Sequence, residues 1–122
     1  MVARDRGNLA EARSLFLDVI EWFSENDYRP AIAVALLGLA TLEFREGRPV
    51  QAVQLLGTSR ALRRGTRMTR EAAEEMAERE VEEGGGESLG EAGYERALEE
   101  GERFSLERAL EIVRGEGIAE AP

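Results

Sequence analysis

The stretch RPAIAVALLGLATLEFR, Arg29 to Arg45, constrains the fold more than any other. Ala33, Leu36, Leu37, Ala40 and Phe44 recur at helical spacing, and Val34, Leu39 and Leu42 fill most of the remaining sides. A helix that is apolar nearly all round has to be central, with neighbours on several faces. Small Ala33, Ala35, Gly38 and Ala40 let those neighbours approach closely. Pro30 suits a first helical turn, and Gly47 suits the position just past the last one. The apolar core of the run is shorter than the roughly 20 residues a bilayer span needs.

The flanking sequence supplies the neighbours. Leu9, Ala12, Phe16, Val19 and Phe23 mark one face of a helix from an Asn8 N-cap to about Glu25, widened by Leu15, Leu17, Ile20 and Trp22. Pro49 opens a third helix at its first position, with Ala52, Leu55, Leu56, Ser59 and Leu62 inward and Gly65 closing it. Arg48 at that N-cap is a local defect of about 1 kcal/mol against Asp. A fourth helix is expected from Thr69 to about Glu83, with Ala72, Ala73, Met76, Ala77 and Val81 as its apolar face. The run from Glu82 to Glu87, with Gly84, Gly85 and Gly86, reads as a break. Ser88 and Glu91 fit a capping box for a fifth helix that buries Leu89, Tyr94, Ala97 and Leu98 and stops at Gly101. Ser105 caps a sixth, Leu106 to about Val113. No strand pattern occurs. The expectation is all-α, about six helices in antiparallel hairpins, with helical hairpins over 1–66, a C-terminal helical cap over 67–114 and a frayed tail over 115–122.

Composition removes whole classes of chemistry. The chain has no Cys and no His, which excludes disulfide scaffolds, thiolate zinc sites and Ser–His or Cys–His nucleophiles. No glycine-rich phosphate loop of the P-loop kind is present, and there is no Lys. No catalytic residue, cofactor site or metal site is expected. Residues 1–70 carry eleven Arg against eight acids, a net +3, and residues 71–122 carry five Arg against seventeen acids, a net −12. An acidic second half argues against nucleic-acid binding. Charged residues before Leu9 interrupt any signal-peptide pattern, so a cytoplasmic protein is the default and no membrane role is expected.

Two segments run alike at a forty-residue offset: RGNLAEARSLF from Arg6 and EGRPVQAVQLLG from Glu46. Such a period marks stacked helix pairs. Ala40, Gly47, Ala52 and Leu56 match the small crossing residues and turn glycine of the tetratricopeptide repeat (TPR), and the segment 29–64 resembles one complete repeat. Gly7, Ala12 and Phe16 hold the corresponding places of a half-repeat whose first helix would lie before residue 1.

A second resemblance covers about half the chain. VQLLGTSRALRRG, Val53 to Gly65, resembles the A-x-L-L-G-A-A-x-A-L-R-x-x-x-G helix near the C-terminus of large bacterial signal-transducing regulators. Leu89, Gly90, Tyr94, Glu100, Gly101, Ser105, Leu106, Glu107, Ala109 and Leu110 resemble their closing motif in order and spacing. Those regulators are multidomain ATP-dependent transcriptional proteins of the LuxR-type and antibiotic-regulatory classes, and the same tail occurs behind kinase or cyclase domains. The resemblance implies a non-catalytic TPR-like sensing scaffold, the end of a longer protein. Arg48, Ser59 and the glycine run depart from the pattern. The alternative is a free-standing TPR adaptor for a peptide or protein.

Candidate contacts follow. Trp22, Tyr28, Leu15 and Ile20 are apolar or aromatic residues near the first hairpin and form the expected partner-binding face. Left uncovered, that face is expected to make the chain self-associate as a homodimer. Arg60, Arg63, Arg64 and Arg67 are candidates for anion contact, set against a simpler role as helix-terminal cations facing the acidic fourth helix. Glu71, Glu74, Glu75, Glu78, Glu82 and Glu83 read as a solvated face, because no calcium-loop spacing accompanies them.

Overall fold

A computed structural model describes residues 2–64 and 72–114. Among the described residues the chain is all-α. Five helices occur among the described residues: α1 (Val2–Glu25), α2 (Arg29–Arg45), α3 (Pro49–Arg63), α4 (Ala72–Arg103) and α5 (Leu106–Arg114). Gly90 is non-helical inside α4, so α4 is two segments across a kink. α2 is the central helix: Ile32, Ala33, Ala35, Leu36, Leu37, Leu39, Ala40 and Leu42 are all buried, on every side of its axis. It touches α1, α3 and α4.

The first two turns are built alike. After α1, the Tyr28 N–H donates to the Phe23 carbonyl (3.0 Å) and the Asp27 N–H to that of Ser24 (3.2 Å), with Asp27 at φ 52°. After α2, the Arg48 N–H donates to the Glu43 carbonyl (2.9 Å) and the Gly47 N–H to that of Phe44 (3.1 Å), with Gly47 at φ 84°. Both are Schellman turns, in which one left-handed residue satisfies the orphan carbonyls of the helix end. A proline then stands in the first turn of the next helix each time. In the first turn Tyr28 packs its ring on Phe23, centroids 5.7 Å apart. In the second, Arg48 and Glu43 hold the same two places and form an ion pair instead, Nε to carboxylate 2.5 Å. Arg48 gives no side-chain cap to α3, but its guanidinium is held by this pair.

Glycines set how closely the helices cross. A Cβ on Gly57 would meet the Leu98 carbonyl and stand 2.9 Å from the Glu102 nitrogen; one on Gly101 would meet the Gln54 carbonyl and stand 2.7 Å from its Cα. Backbone therefore lies on backbone where α3 crosses α4. The Thr58 hydroxyl donates to the Gly101 carbonyl there (2.7 Å), and the Ser59 hydroxyl donates to the Ala33 carbonyl of α2 (2.6 Å). Gly38 is the seat of the Phe16 ring, which a Cβ there would meet head-on.

Several expectations need correction. α1 begins at Val2, so Gly7 and Asn8 lie inside a helix and are neither turn nor cap. One Gly and one Asn cost too little to stop a helix already propagating. The glycine run does not break α4 either. Gly84 leaves room for the Phe44 ring and Gly85 for Val53, so packing recovers what propensity loses. The kink falls at Gly90, whose φ 75° and ψ 167° are open only to glycine; Ser88 precedes it and caps nothing. Gly101 lies within α4 as a crossing point rather than a stop. Met76, expected inward, is 70% exposed. The caps at Gly47 and Ser105 stand as read, the Arg108 N–H donating to the Ser105 hydroxyl (3.1 Å). The expected start at Thr69, the close at Gly65 and the tail 115–122 lie outside the described residues. No described helix is long and apolar enough to cross a membrane.

Candidate functional site

The helical spacing of α1 sorts its apolar residues onto two faces. Ile20 is buried and joins Ala35, Leu36 and Leu39 in the core cluster, with Leu9, Ala12, Phe16, Leu17 and Phe23 packed against it. Leu15, Val19 and Trp22 follow one another by four and three residues along a second face, and all are exposed, Leu15 at 65% and Trp22 at 59%. Ile20 was expected on that exposed face. The structure removes it, because it is one residue and about 100° of helical turn past Val19.

Beside the exposed stripe lies a groove between α1 and α2, lined by Phe16, Val19, Tyr28, Ala31, Val34 and Ala35, with a volume of 330 Å³. Ala31 and Ala35 are too small to fill it. Tyr28 stands half-exposed at its end, fixed by the Schellman contact with Phe23. Trp22 packs edge-on against Phe23, centroids 4.8 Å apart, and Asn26 donates to its carbonyl (2.8 Å). Asp18, Glu21 and Glu25 share a smaller hollow of 190 Å³ with Trp22. An apolar trough with one acidic bank thus runs along the outer side of the first hairpin. Trp22, Tyr28 and Leu15 belong to it; Val19, which its spacing in the sequence places on the packed stripe with Phe16 and Phe23, is exposed here and belongs to it too, as does Val34.

Under this surface is a network of charge. Arg13 of α1 donates to Glu43 (2.8 Å) and Glu46 (2.7 Å), and Arg48 pairs with the same two carboxylates. Glu43 is almost wholly buried. Burial alone would raise the Glu46 carboxyl, but Arg13 and Arg48 together hold it below its ordinary value. The network fixes α1 to the second turn and so sets the width of the hairpin.

The arginine candidates have partners. Arg60 donates to Glu82 (2.5 Å) and Glu78 (3.5 Å), Arg63 pairs with Glu74 (3.3 Å), and Arg64 with Glu102 (2.5 Å). Burial would lower the Arg60 guanidinium, and Glu82, Tyr94 and Glu78 together leave the group raised. Tyr94 beside it is raised by burial, with Arg60 acting the other way. The row is a seam between α3 and α4. Arg67 lies outside the described residues. Glu74, Glu78 and Glu82 form the other side of the seam, and Glu78 is buried, so these three are not the solvated face expected. No group of three metal-ligating side chains occurs among the described residues.

The tetratricopeptide repeat family matches residues 1–65, more than half of the chain and the whole of α1, α2 and α3. The chain belongs to the tetratricopeptide repeat family. Its hairpins, glycine turn and small crossing residues are those of a TPR unit, and TPR units commonly serve as protein-interaction scaffolds. Comparison with curated proteins and with solved structures gives no match. The groove and the exposed α1 stripe both fall within the TPR span.

Proposed function

We propose that the chain is a non-catalytic interaction and effector-sensing scaffold, the C-terminal part of a bacterial ATP-dependent transcriptional regulator. The observation that carries the scaffold reading is the 330 Å³ apolar groove beside exposed Leu15, Val19 and Trp22. Contiguous exposed apolar surface of this kind is costly unless something covers it. The regulator reading draws support from the two segments that resemble the closing motifs of such proteins. They meet where α3 crosses α4, with Gly57 against the Leu98 carbonyl, Gly101 against the Gln54 carbonyl and the Thr58 hydroxyl donating to the Gly101 carbonyl. The buried carboxylates Glu43 and Glu78 are held by arginines, which suits a structural rather than a catalytic use.

In this reading residues 1–66 form the TPR-like unit and 67–114 a helical cap, with 115–122 a tail. A partner seated in the groove shifts the packing of α1 on α2, and the shift is felt by an attached ATPase or DNA-binding module. The coding DNA directly upstream of Met1 tests the assignment. An in-frame continuation with a P-loop further back is the expected result. A stop codon and ribosome-binding site immediately before Met1 would overturn the regulator reading and leave a free-standing TPR adaptor.

A further inference from the structure

The charge around the groove says what kind of segment covers it. From Ser14 to Phe44 the chain has one basic residue, Arg29, against Asp18, Glu21, Glu25, Asp27 and Glu43. Glu43 is neutralised internally by Arg13 and Arg48. Asp18, Glu21 and Glu25 are not so engaged: all three are exposed and line the hollow around Trp22. On the helix they fall along one side of the Leu15–Val19–Trp22 stripe, because spacings of three and four keep them in register with it. The α2 bank, Ala31, Val34 and Ala35, carries no charge. The surface is therefore lopsided, with an apolar floor, an acidic bank on α1 and a neutral bank on α2.

We infer that this surface takes a basic amphipathic helix, apolar along one stripe and carrying Arg or Lys along the edge that faces α1. The inference rests on the scaffold reading of the groove and adds the chemistry of its occupant. The apolar stripe covers Phe16, Val19, Tyr28 and Val34. The basic edge meets Asp18, Glu21 and Glu25, with a cation over the exposed face of Trp22. A second copy of the chain is the poorer occupant, since it brings the same three carboxylates and, from residues 14–44, only Arg29 to meet them. Electrostatic complementarity selects the partner and speeds its arrival, while the apolar floor holds it.

Trp22 is the only tryptophan, so its emission reports the site directly. The probes are synthetic helical peptides of about four turns, with leucines at helical spacing and either Arg or Glu along one edge. A third peptide has the Arg composition with the leucine spacing scrambled. The Arg peptide should bind and shift Trp22 emission to the blue, and the scrambled and Glu peptides should bind at least tenfold more weakly. The triple substitution Asp18→Asn, Glu21→Gln, Glu25→Gln should weaken the Arg peptide by about tenfold, from three exposed pairs. Val19→Asn should weaken the Arg and Glu peptides alike. Equal binding of the Arg and Glu peptides, or no effect of the triple substitution, would overturn the basic-partner inference while sparing the scaffold reading. No helical peptide perturbing Trp22 would overturn both. Sedimentation of the chain alone at about 100 μM is the last arm; a dimer that Val19→Asn dissociates would assign the surface to a second copy instead.

Discussion

Alanine at two glycines of α4, one on each side of the Gly90 kink, should move stability in opposite directions. At Gly101 the new Cβ would stand 2.7 Å from the Gln54 Cα and closer still to its carbonyl oxygen, and neither is the end of a flexible side chain. Reaching ordinary contact requires α3 and α4 to part by about 1 Å, the upper end of overpacking at ~3 kcal/mol. The same movement strains the buried bond from Thr58 to the Gly101 carbonyl, worth ~1 kcal/mol. Alanine returns ~1 kcal/mol of helix propensity. The net expectation is a loss of ~3 kcal/mol, a large part of the ~5–15 kcal/mol that holds a small domain. At Gly86 a Cβ meets nothing within 4 Å, so Gly86→Ala should gain ~0.5–1 kcal/mol. Urea unfolding followed by far-ultraviolet circular dichroism measures both. A loss under ~1 kcal/mol at Gly101 would refute the backbone-on-backbone crossing. A loss at Gly86 would refute a helix that is continuous through the glycine run.

Glu43→Gln should cost ~2 kcal/mol in the same assay, less than a fully buried pair because Arg13 and Arg48 keep part of their water; a change under ~0.5 kcal/mol would mean the network holds nothing. Ser59→Ala should cost ~1 kcal/mol through its bond to the Ala33 carbonyl, and no loss would show that the bond is dispensable. The Arg45 hydrogen bond holds the Glu80 carboxyl below its ordinary 4.5, and Glu46 is likewise low despite its burial. A depressed carboxyl stabilises above its unfolded value and loses that contribution as pH falls through the folded one. Stability should therefore decline below pH 4.5. Glu46→Gln should flatten that decline more than Glu80→Gln, whose pair is more exposed and more screened. The reverse order would contradict the burial argument.

The parts of the fold legible in the sequence are those fixed by local backbone chemistry. Pro30, Gly47 and Pro49 act on their own neighbours, so α2 and the start of α3 could be read to the residue. The glycine run misleads because propensity is a local quantity and packing is not. Nothing near Gly84 announces that Phe44, forty residues earlier, needs the space. Arg48 misleads in the same way: as a cap it is poor, and its partner Glu43 becomes its neighbour only when the turn closes. At the site, Leu15, Trp22 and Tyr28 were legible as apolar residues in excess of what one buried face needs. Ile20 was not separable from them, since α1 is apolar over a wide arc and only the placement of α2 decides which residues it covers. The acidic bank was present in the sequence, but its meaning depends on the trough beside it.

Whether the α1–α2 groove is where the chain meets its partner decides the scaffold reading. A photoreactive amino acid in place of Val19, in the intact protein in its own cells, measures this most directly. Met76, 70% exposed on α4, is the control position. An adduct is expected at Val19, mapped to a helix with an apolar stripe and a basic edge, and none at Met76. No adduct at Val19, or equal yields at both positions, would contradict the scaffold reading.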